Sequence, residues 1–464
     1  MTNLPFRKAI LASIFCVMFA VCVSAQTFTT LANFGGTNGA QPSGPLIQSG
    51  DGSFFGTTNS GGTKNLGTIF SVTPTGTLTN IFSFDNSHGA SPGGGLALQG
   101  NDTLHGTTAS GGTSGDGTIY QIRGVTNKVT ILHNFAGSDG QSPVGGLVID
   151  VSQSSYGTTS KGGANGQGTI FQLSPTNALT TLYNFCAVTN CTDGSAPVAT
   201  LVLDATGNLY GTTSTGGAHS AGTVFQLTKK NNKFVTLHSF CSQTNCTDGS
   251  APLAGLVQAT NGNLYGTTST GGANGFGTVF VITSAGALTT LHSFAGTDGK
   301  TPSATLVLGT DGNFYGTTAA GGANGFGTAF EITSTGTFST LHNFTGNDGQ
   351  SPNGLVQGTD GTFYGTTSAG GANGNGTAFN LATGLAPFVE LIPRTQLVGT
   401  LITIIGNDLT GANSVTFNGT PATFIIRSSG EVKAMVPFGA TTGPVAVTTP
   451  TGTLLSNTYF QVIP

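Results

Sequence analysis

Residues 264–280 read Leu-Tyr-Gly-Thr-Thr-Ser-Thr-Gly-Gly-Ala-Asn-Gly-Phe-Gly-Thr-Val-Phe, and the whole repeat region is built on variants of this segment. Its Gly-Thr-Thr core recurs along the chain at spacings of 50, 51, 54, 55, 50 and 49 residues. The copies begin at Gly56, Gly106, Gly157, Gly211, Gly266, Gly316 and Gly365. A fixed period near fifty residues is the signature of a repeat architecture, in which each repeat is one supersecondary unit. The sequence therefore predicts shape more directly than it predicts activity.

One repeat, from Ala254 to Phe294, divides into four short apolar segments separated by turn residues. The segments span residues 256–258, 264–268, 278–283 and 288–294. The dipeptide Asn261-Gly262 joins the first two, and Asn-Gly between two such runs is a strong hairpin signal. Four short antiparallel strands per repeat are typical of a β-propeller blade.

The two ends of the repeat region supply complementary fragments of one further repeat. Residues 27–34 have the sequence of a fourth strand alone, whereas residues 355–381 contain strands one to three without a fourth. We therefore predict an all-β chain in which residues 26–384 form a seven-bladed β-propeller with four-stranded blades. The N-terminal strand would close the last blade and so remove a sheet edge that otherwise invites aggregation.

The fifty-residue period stops near Pro387, and the composition of the chain changes there. Residues 387–464 contain short alternating apolar segments that are separated by Gly and Asn turns. Segments of this kind predict a C-terminal immunoglobulin-like β-sandwich.

The first 25 residues have the pattern of a secretory signal peptide. Arg7 and Lys8 precede an apolar run over residues 9–23, and small residues up to Ala25 suit the cleavage position. This run is shorter than the roughly 20 residues that span a bilayer. A single membrane anchor and lipidation at Cys22 are the alternatives. We expect a secreted or cell-surface protein without a membrane span in the mature chain.

Four cysteines beyond the leader form two copies of one pattern, Cys186-x4-Cys191 and Cys241-x4-Cys246. An oxidising compartment favours a disulfide within each loop. A zinc site is the alternative, although it would need the two loops to meet, and neither loop contains a histidine.

The composition narrows the range of partners. Charged residues make up 6% of the 464 residues, glycine contributes 75, and the formal net charge is -4. No basic patch is present in the sequence, which argues against nucleic acid as a partner. The glycine-rich loops lack the lysine and the following helix of a phosphate-binding motif. We expect no cofactor, no bound metal and a monomeric chain.

The candidate ligand-binding residues lie in the connections between repeats, on the face that carries the long loops. A carboxylate recurs there before glycine, and a ring of carboxylates near the propeller axis would bind a cation or sugar hydroxyls. The sequence favours instead a turn capped by the Asp side chain, because Asn38, which tolerates the same conformation, replaces Asp in the first repeat. The candidates are Asp139, Asp193, Asp248, Asp298, Asp348 and His88.

Histidines recur within the fourth strands of several repeats. They are His133, His238, His292 and His342. Because a catalytic histidine is not usually repeated on several blades, we interpret them as partly buried strand residues. We assign no residue as catalytic.

Two resemblances rest on these motifs. Residues 263–268, the Gly271-Gly272 pair, residues 277–280 and residues 291–294 resemble the choice-of-anchor tandem repeat family known as GloVer, over about 27–384. Residues 399–407, with Thr442-Gly443-Pro444 further on, resemble the opening and the end of an IPT/TIG domain, over about 387–464. The first resemblance implies a bacterial exported repeat protein of undefined activity. The second implies an extracellular immunoglobulin-like spacer or interaction module.

Together these patterns predict a binding or structural module for an extracellular glycan or protein on the long-loop face. The alternative is a propeller enzyme, a lyase or glycan hydrolase, acting on the same face. Seven similar repeats spread every candidate residue over several blades, whereas propeller enzymes usually break the symmetry. We expect function where the copies differ, at the two cysteine loops, Asn38 and His88.

Overall fold

The computed structural model of the chain describes residues 26–99, 103–123 and 128–463. The predicted signal peptide, residues 1–25, lies outside the described residues. The strands are numbered β1 to β38 in chain order, and the sheets of the repeat region are numbered 1 to 7.

Seven four-stranded antiparallel sheets follow one another along the described part of the repeat region. Sheet 1 contains β2 (Ala40–Gln48), β3 (Phe54–Ser60), β4 (Thr68–Val72) and β5 (Leu78–Ser83). Sheet 2 contains β6 (Ala97–Gln99), β7 (Thr103–Thr108), β8 (Thr118–Arg123) and β9 (Lys128–Asn134). Sheet 3 contains β10 (Val148–Ile149), β11 (Ser155–Thr159), β12 (Thr169–Leu173) and β13 (Leu179–Asn184).

Sheets 4 to 6 repeat this order. Sheet 4 contains β14 (Val202–Leu203), β15 (Asn208–Thr213), β16 (Thr223–Thr228) and β17 (Lys233–Ser239). Sheet 5 contains β18 (Val257–Gln258), β19 (Leu264–Thr268), β20 (Thr278–Ile282) and β21 (Leu288–Ser293). Sheet 6 contains β22 (Val307–Leu308), β23 (Phe314–Thr318), β24 (Thr328–Ile332) and β25 (Phe338–Asn343).

Sheet 7 combines strands from both ends of the repeat region. It contains β26 (Gln350–Gln357), β27 (Phe363–Ala369), β28 (Thr377–Ala382) and, at its edge, β1 (Thr27–Asn33). β1 runs antiparallel to β28, with Thr27 opposite Ala382 and Asn33 opposite Thr377. The Phe28 ring stacks on His342 of sheet 6, with ring centroids 3.8 Å apart. The predicted all-β fold of four-stranded antiparallel sheets is confirmed.

Buried apolar side chains fill the space between each sheet and the next. Phe185 and Leu209, for example, belong to one cluster between sheets 3 and 4. A corresponding cluster joins sheet 7 to sheet 1, where Phe54 stacks on Tyr364 with ring centroids 4.0 Å apart. Each sheet thus buries both faces against its neighbours, which is the largest favourable contribution to the stability of the repeat region.

The Gly-Thr-Thr motif lies in the second strand of each sheet. Its glycine makes room for aromatic packing, since a Cβ on Gly266 would lie 2.7 Å from Phe280 Cζ. The second threonine of the same copy, Thr268, shares a hydrogen bond with Thr278 Oγ1 at 2.8 Å and so ties the second strand to the third. In five of the repeats the first threonine donates a hydrogen bond to the next repeat, as Thr212 Oγ1 does to the Ala254 carbonyl at 2.9 Å.

The C-terminal segment forms the predicted immunoglobulin-like sandwich. One sheet contains β29 (Glu390–Ile392), β31 (Leu401–Ile405), β34 (Phe424–Ile426) and β35 (Glu431–Met435). The other contains β32 (Ser414–Phe417), β33 (Thr420–Pro421), β36 (Val445–Thr449) and β37 (Gly452–Leu455). β30 (Thr395–Leu397) pairs in parallel with β38 (Gln461–Ile463). Ile404, Phe417 and Val447 meet in a core between the two sheets.

Helix is confined to three short 3-10 turns in the described residues. They span Thr189–Cys191, Thr244–Cys246 and Leu409–Gly411. None of them has the length or the apolar character that crossing a lipid bilayer requires.

Candidate functional site: a groove between two disulfide loops

Two disulfide loops lie beside each other, after the fourth strands of sheets 3 and 4. Cys186 is bonded to Cys191, and Cys241 is bonded to Cys246. The predicted disulfides are therefore confirmed, and these thiols are not available to the alternative zinc site. Each disulfide fixes a loop that extends from the end of its sheet.

Each loop is organised around a buried aspartate. Asp193 accepts a hydrogen bond from the Tyr183 hydroxyl at 2.7 Å and another from the Ala187 backbone N–H at 2.9 Å. Asp248 accepts from Ser242 Oγ at 2.8 Å and lies 3.0 Å from His238 Nε2. Both carboxylates are therefore occupied by their own loops.

The directions of the pKa shifts of Asp248 and Tyr183 agree with these hydrogen bonds. Although burial alone would raise the pKa of Asp248, the hydrogen bonds from Ser242 and His238 lower it below its usual value. Burial, together with the hydrogen bond to Asp193, raises the pKa of the Tyr183 hydroxyl. Asp248 thus stays ionised and Tyr183 stays neutral near pH 7.

A shallow groove of about 820 Å³ runs between the two disulfide loops and along the fourth strands of sheets 3 and 4. Its floor is aromatic, because Tyr183 and Phe234 stack with ring centroids 3.9 Å apart and an interplanar angle of 5°. Val188, which is exposed, stands on one wall, and His238 lies on the other.

Several side chains of the groove keep their hydrogen-bonding groups available. The side chains of Thr192, His219 and Asn232 are exposed. They make no side-chain hydrogen bond to any other residue that the structure describes. Among the residues that the structure describes, no lysine or arginine lines the groove. A ligand here would meet an aromatic surface bordered by exposed side chains with free hydrogen-bonding groups.

His219 marks where this groove departs from four of the other repeats. The corresponding residue in sheet 5 is Asn274, whose side-chain amide donates to the Phe294 carbonyl at 3.1 Å and holds the glycine-rich loop down. Asn165, Asn324 and Asn373 make the same bond in their own repeats. Sheet 4 lacks this bond, and the His219 imidazole faces the groove instead.

The remaining candidate carboxylates occupy equivalent positions in other repeats. Asp139, Asp298 and Asp348 lie 2.8, 2.9 and 2.9 Å from the imidazole Nε2 of His133, His292 and His342. Each also accepts a hydrogen bond from a backbone N–H three residues earlier. These histidines are partly buried strand residues, as the sequence predicts, and the aspartates cap turns.

His88 belongs to a similar turn in the second connection. Its Nδ1 lies 2.7 Å from Asp85 Oδ1. Burial alone would raise the pKa of Asp85, but the hydrogen bonds from His88 and Ser87 together lower it to about 2. In the first connection, Asn38 Oδ1 accepts from the Gly35 backbone N–H at 2.7 Å.

The carboxylates do not form a ring near the axis, which was the less favoured of the two interpretations of the repeat pattern. The first strands of sheets 1 to 5 converge on one cavity and therefore lie at the centre. The aspartates follow the fourth strands, which are at the opposite edge of each sheet. Each carboxylate pairs with a side chain of its own repeat, so the structure brings no two of these aspartates together.

Comparison of the sequence with models of protein families assigns the chain to a family. The model of the Gloeobacter/Verrucomicrobia repeat matches residues 15–154, 76–247, 125–309 and 239–420, which overlap and cover most of the chain. The chain belongs to the Gloeobacter/Verrucomicrobia repeat family. The IPT/TIG domain model matches residues 389–462 of this repeat protein. Both resemblances stated from the sequence are confirmed.

Solved structures similar to this Gloeobacter/Verrucomicrobia repeat protein are distant in sequence. PorZ, a surface component of the type-IX secretion system of Porphyromonas gingivalis, is 14% identical over 90% of this chain and 59% of its own, with a TM-score of 0.46. The nidogen/laminin complex is 16% identical over 63% and 93%, with a TM-score of 0.41. A gluconolactonase from Xanthomonas campestris is 12% identical over 61% and 82%, with a TM-score of 0.39. No curated protein matches the chain.

The sequence of this repeat protein indicated the two cysteine loops but not the groove between them. Phe234 and His219 were missed, because neither residue belongs to a recurring catalytic or metal-binding motif. The available signal was the break in the repeat pattern, where His219 stands at a position that is Asn in four other repeats.

Proposed function

We propose that this protein is an exported bacterial binding module that takes an extracellular glycan into the groove between its two disulfide loops. Export is supported by the signal-peptide pattern of residues 1–25 and by the two disulfides, which persist in oxidising compartments. The IPT/TIG domain is of a kind that suits binding or interaction.

The observation that carries the proposal is the stacked pair Tyr183–Phe234 beside exposed polar side chains. A sugar ring has an apolar C–H face and a rim of hydroxyl groups. The aromatic floor suits the apolar C–H face, and the side chains of His219, Thr192 and Asn232 suit the hydroxyl groups. The absence of lysine and arginine from the groove favours a neutral glycan over an anionic one.

The enzyme alternative would need a carboxylate free to transfer protons or attack the substrate. Asp193 and Asp248 are the carboxylates nearest to the groove, and both are buried and bonded to their own loops. Because these hydrogen bonds leave neither carboxylate free, they support ligand binding over hydrolysis or elimination at these two residues.

A glycan array with the full chain tests the proposal, and His219→Asn is the informative variant. The substitution introduces the residue that other repeats use, so the loop gains its usual hydrogen bond while the groove loses an imidazole. We expect binding of a neutral glycan to weaken by about three- to tenfold, which is the change in affinity expected when one hydrogen bond to the ligand is lost. Asn274→Gln, outside the groove, is the control and should leave binding unchanged.

Other outcomes would contradict the proposal. Glycan binding that His219→Asn leaves intact would place the site elsewhere, and an array without any bound glycan would favour a protein ligand or a structural role. Release of cleaved product, abolished by Asp193→Asn, would establish the enzyme alternative.

A further inference from the structure

A second cavity lies at the centre of the opposite face of the repeat region, beneath the C-terminal sandwich. It has a volume of about 650 Å³ and is lined by the first strands of five sheets and by residues 390–395 and 459–463 of the sandwich. Neither the sequence motifs nor the family matches indicate a site there. We infer that this cavity is a binding site for an uncharged amphiphilic small molecule.

The floor of the cavity is apolar. Each first strand contributes one or two aliphatic side chains, and they converge because these strands are the inner strands of their sheets. The aliphatic residues include Ile47, Leu98, Val148, Val202, Leu203 and Val257. Ligand pockets of this size are characteristically lined by apolar side chains with a few polar groups that fix orientation. The floor therefore suits an alkyl chain or another apolar body.

The charged side chains at the rim are already neutralised by each other. Lys229 Nζ lies 2.7 Å from Asp150 Oδ2 and 4.3 Å from the centre of the Tyr156 ring. Arg394 Nη2 lies 3.1 Å from Glu390 Oε1.

Asp204, the remaining carboxylate of the rim, is also fully engaged. It accepts hydrogen bonds from the Asn208 side chain at 3.1 Å and from the Tyr210 hydroxyl at 3.2 Å. An anionic ligand would have to break one of the two ion pairs or remain unpaired, and a cationic ligand would have to break an ion pair or displace the hydrogen bonds of Asp204, and each of these costs free energy. The rim therefore favours a ligand without formal charge.

Uncharged polar groups remain available to such a ligand. The side chains of Gln153, Thr395 and Gln461 line the cavity, and none of them bonds to another residue within the described ranges. Tyr459 stands at the same cavity and is 61% exposed, so its ring is free to pack on a bound molecule. Amide and hydroxyl groups of this kind pair with the ether, hydroxyl or amide end of an amphiphile.

The C-terminal sandwich is fixed over the cavity by direct bonds to sheets 7 and 1. Thr359 Oγ1 donates to Asn407 Oδ1 at 3.1 Å, and the Phe388 backbone N–H donates to the Thr359 carbonyl at 2.9 Å. Ser428 Oγ donates to the Gly50 carbonyl at 3.3 Å. The site is therefore composite, and both parts of the chain are needed to form it.

A single introduced tryptophan tests the inference, because the chain contains no Trp of its own. In Tyr459→Trp, the only indole stands at the cavity. We expect a saturable emission shift on titration with pentaethylene glycol monooctyl ether, an uncharged probe without a sugar, below its micellar concentration. Phe438→Trp is the control, because Phe438 is 88% exposed and does not line the cavity, and it should show no saturable shift.

Charged analogues and cavity variants complete the experiment. Octanoate and octyltrimethylammonium should bind at least about tenfold more weakly than the neutral ether, because each has to disturb an ion pair or the hydrogen bonds of Asp204. In the Tyr459→Trp background, Leu203→Lys should weaken binding of the ether by a similar factor, whereas Leu308→Lys, at the same position of β22 and away from the cavity, should not. Ala205→Phe, on an exposed turn, fills the cavity without disturbing the core and should also weaken binding.

The inference is overturned if Tyr459→Trp shows no saturable shift, or if Phe438→Trp shows the same one. Equal binding of the charged analogues would overturn the assignment of an uncharged ligand. Because the probe carries no sugar and this cavity lies on the face opposite the disulfide loops, the result is independent of glycan binding in the groove.

Discussion

At the residue scale, His105 is the most unusual side chain in the repeat region. It stands where the other repeats carry an aromatic ring, such as Phe55 or Tyr156, and it is only 5% exposed. Its Nδ1 lies 3.3 Å from Ser155 Oγ, and its Nε2 has no hydrogen-bond partner among the residues that the structure describes. Burial lowers the pKa of His105 to about 4.

His105 should make the stability of the protein fall as the pH falls from about 6.5 to about 4. In that range the unfolded chain binds a proton at this residue and the folded chain does not, so acid favours unfolding. The full effect is about 3 kcal/mol, from a pKa difference of roughly 2.5 units. Denaturant unfolding at a series of pH values measures it.

The control is His105→Phe, which copies Phe55 of the first sheet and removes the titration. This variant should lose the part of the pH dependence that lies between about 4 and 6.5 and keep the rest. If the wild type and the variant have parallel stability curves over this range, His105 is not held neutral by burial.

At the element scale, the first threonine of the Gly-Thr-Thr motif joins one sheet to the next by a hydrogen bond in most of the repeats. Thr212 Oγ1 donates to the Ala254 carbonyl, but the hydroxyl of the equivalent Thr267 is buried without a partner in the described structure. Thr212→Val should lower the free energy of unfolding by about 1–2 kcal/mol, because it leaves a buried carbonyl unsatisfied. Chemical denaturation measures the difference.

Thr267→Val is the matched control, because it makes the same substitution where no hydrogen bond is lost. It should leave the free energy of unfolding unchanged or raise it slightly, since it removes a buried unpaired hydroxyl. Equal losses in the two variants would show that the motif stabilises the fold by packing alone.

The strands were predictable from sequence because the repeat shows each strand seven times. The segments 264–268 and 288–294 match β19 and β21 almost residue for residue. The site was less predictable, because the groove depends on Phe234 stacking across two sheets on Tyr183. Spacing along one strand carries no information about such a contact between neighbouring repeats.

At the scale of the whole molecule, the sequence predicted both parts of the chain but not how they meet. The contacts that fix the sandwich, such as Thr359 with Asn407 and Ser428 with Gly50, involve ordinary turn residues in both parts. No local pattern distinguishes them from the same residues exposed to water. The central cavity depends on this arrangement and was therefore beyond sequence reasoning.

Closure of the propeller by the N-terminal strand is the remaining prediction at this scale. β1 pairs with β28 along its length, and Phe28 packs against Phe379 and stacks on His342. Deletion of residues 27–34 would expose the β28 edge together with apolar surface from sheets 6 and 7. We expect the melting temperature to fall by at least about 10 °C, and we expect self-association through the open edge.

Phe28→Ala separates the two contributions of this strand, because it removes the ring but keeps the backbone pairing of β1 with β28. It should lower the melting temperature by less than the deletion does, and it should keep the oligomeric state of the wild type, because the sheet edge stays covered. Thermal melting and sedimentation of both variants measure these effects. Loss of a closing strand must expose a sheet edge and apolar surface. If the deletion variant melts like the wild type and keeps its oligomeric state, β1 therefore does not close the ring.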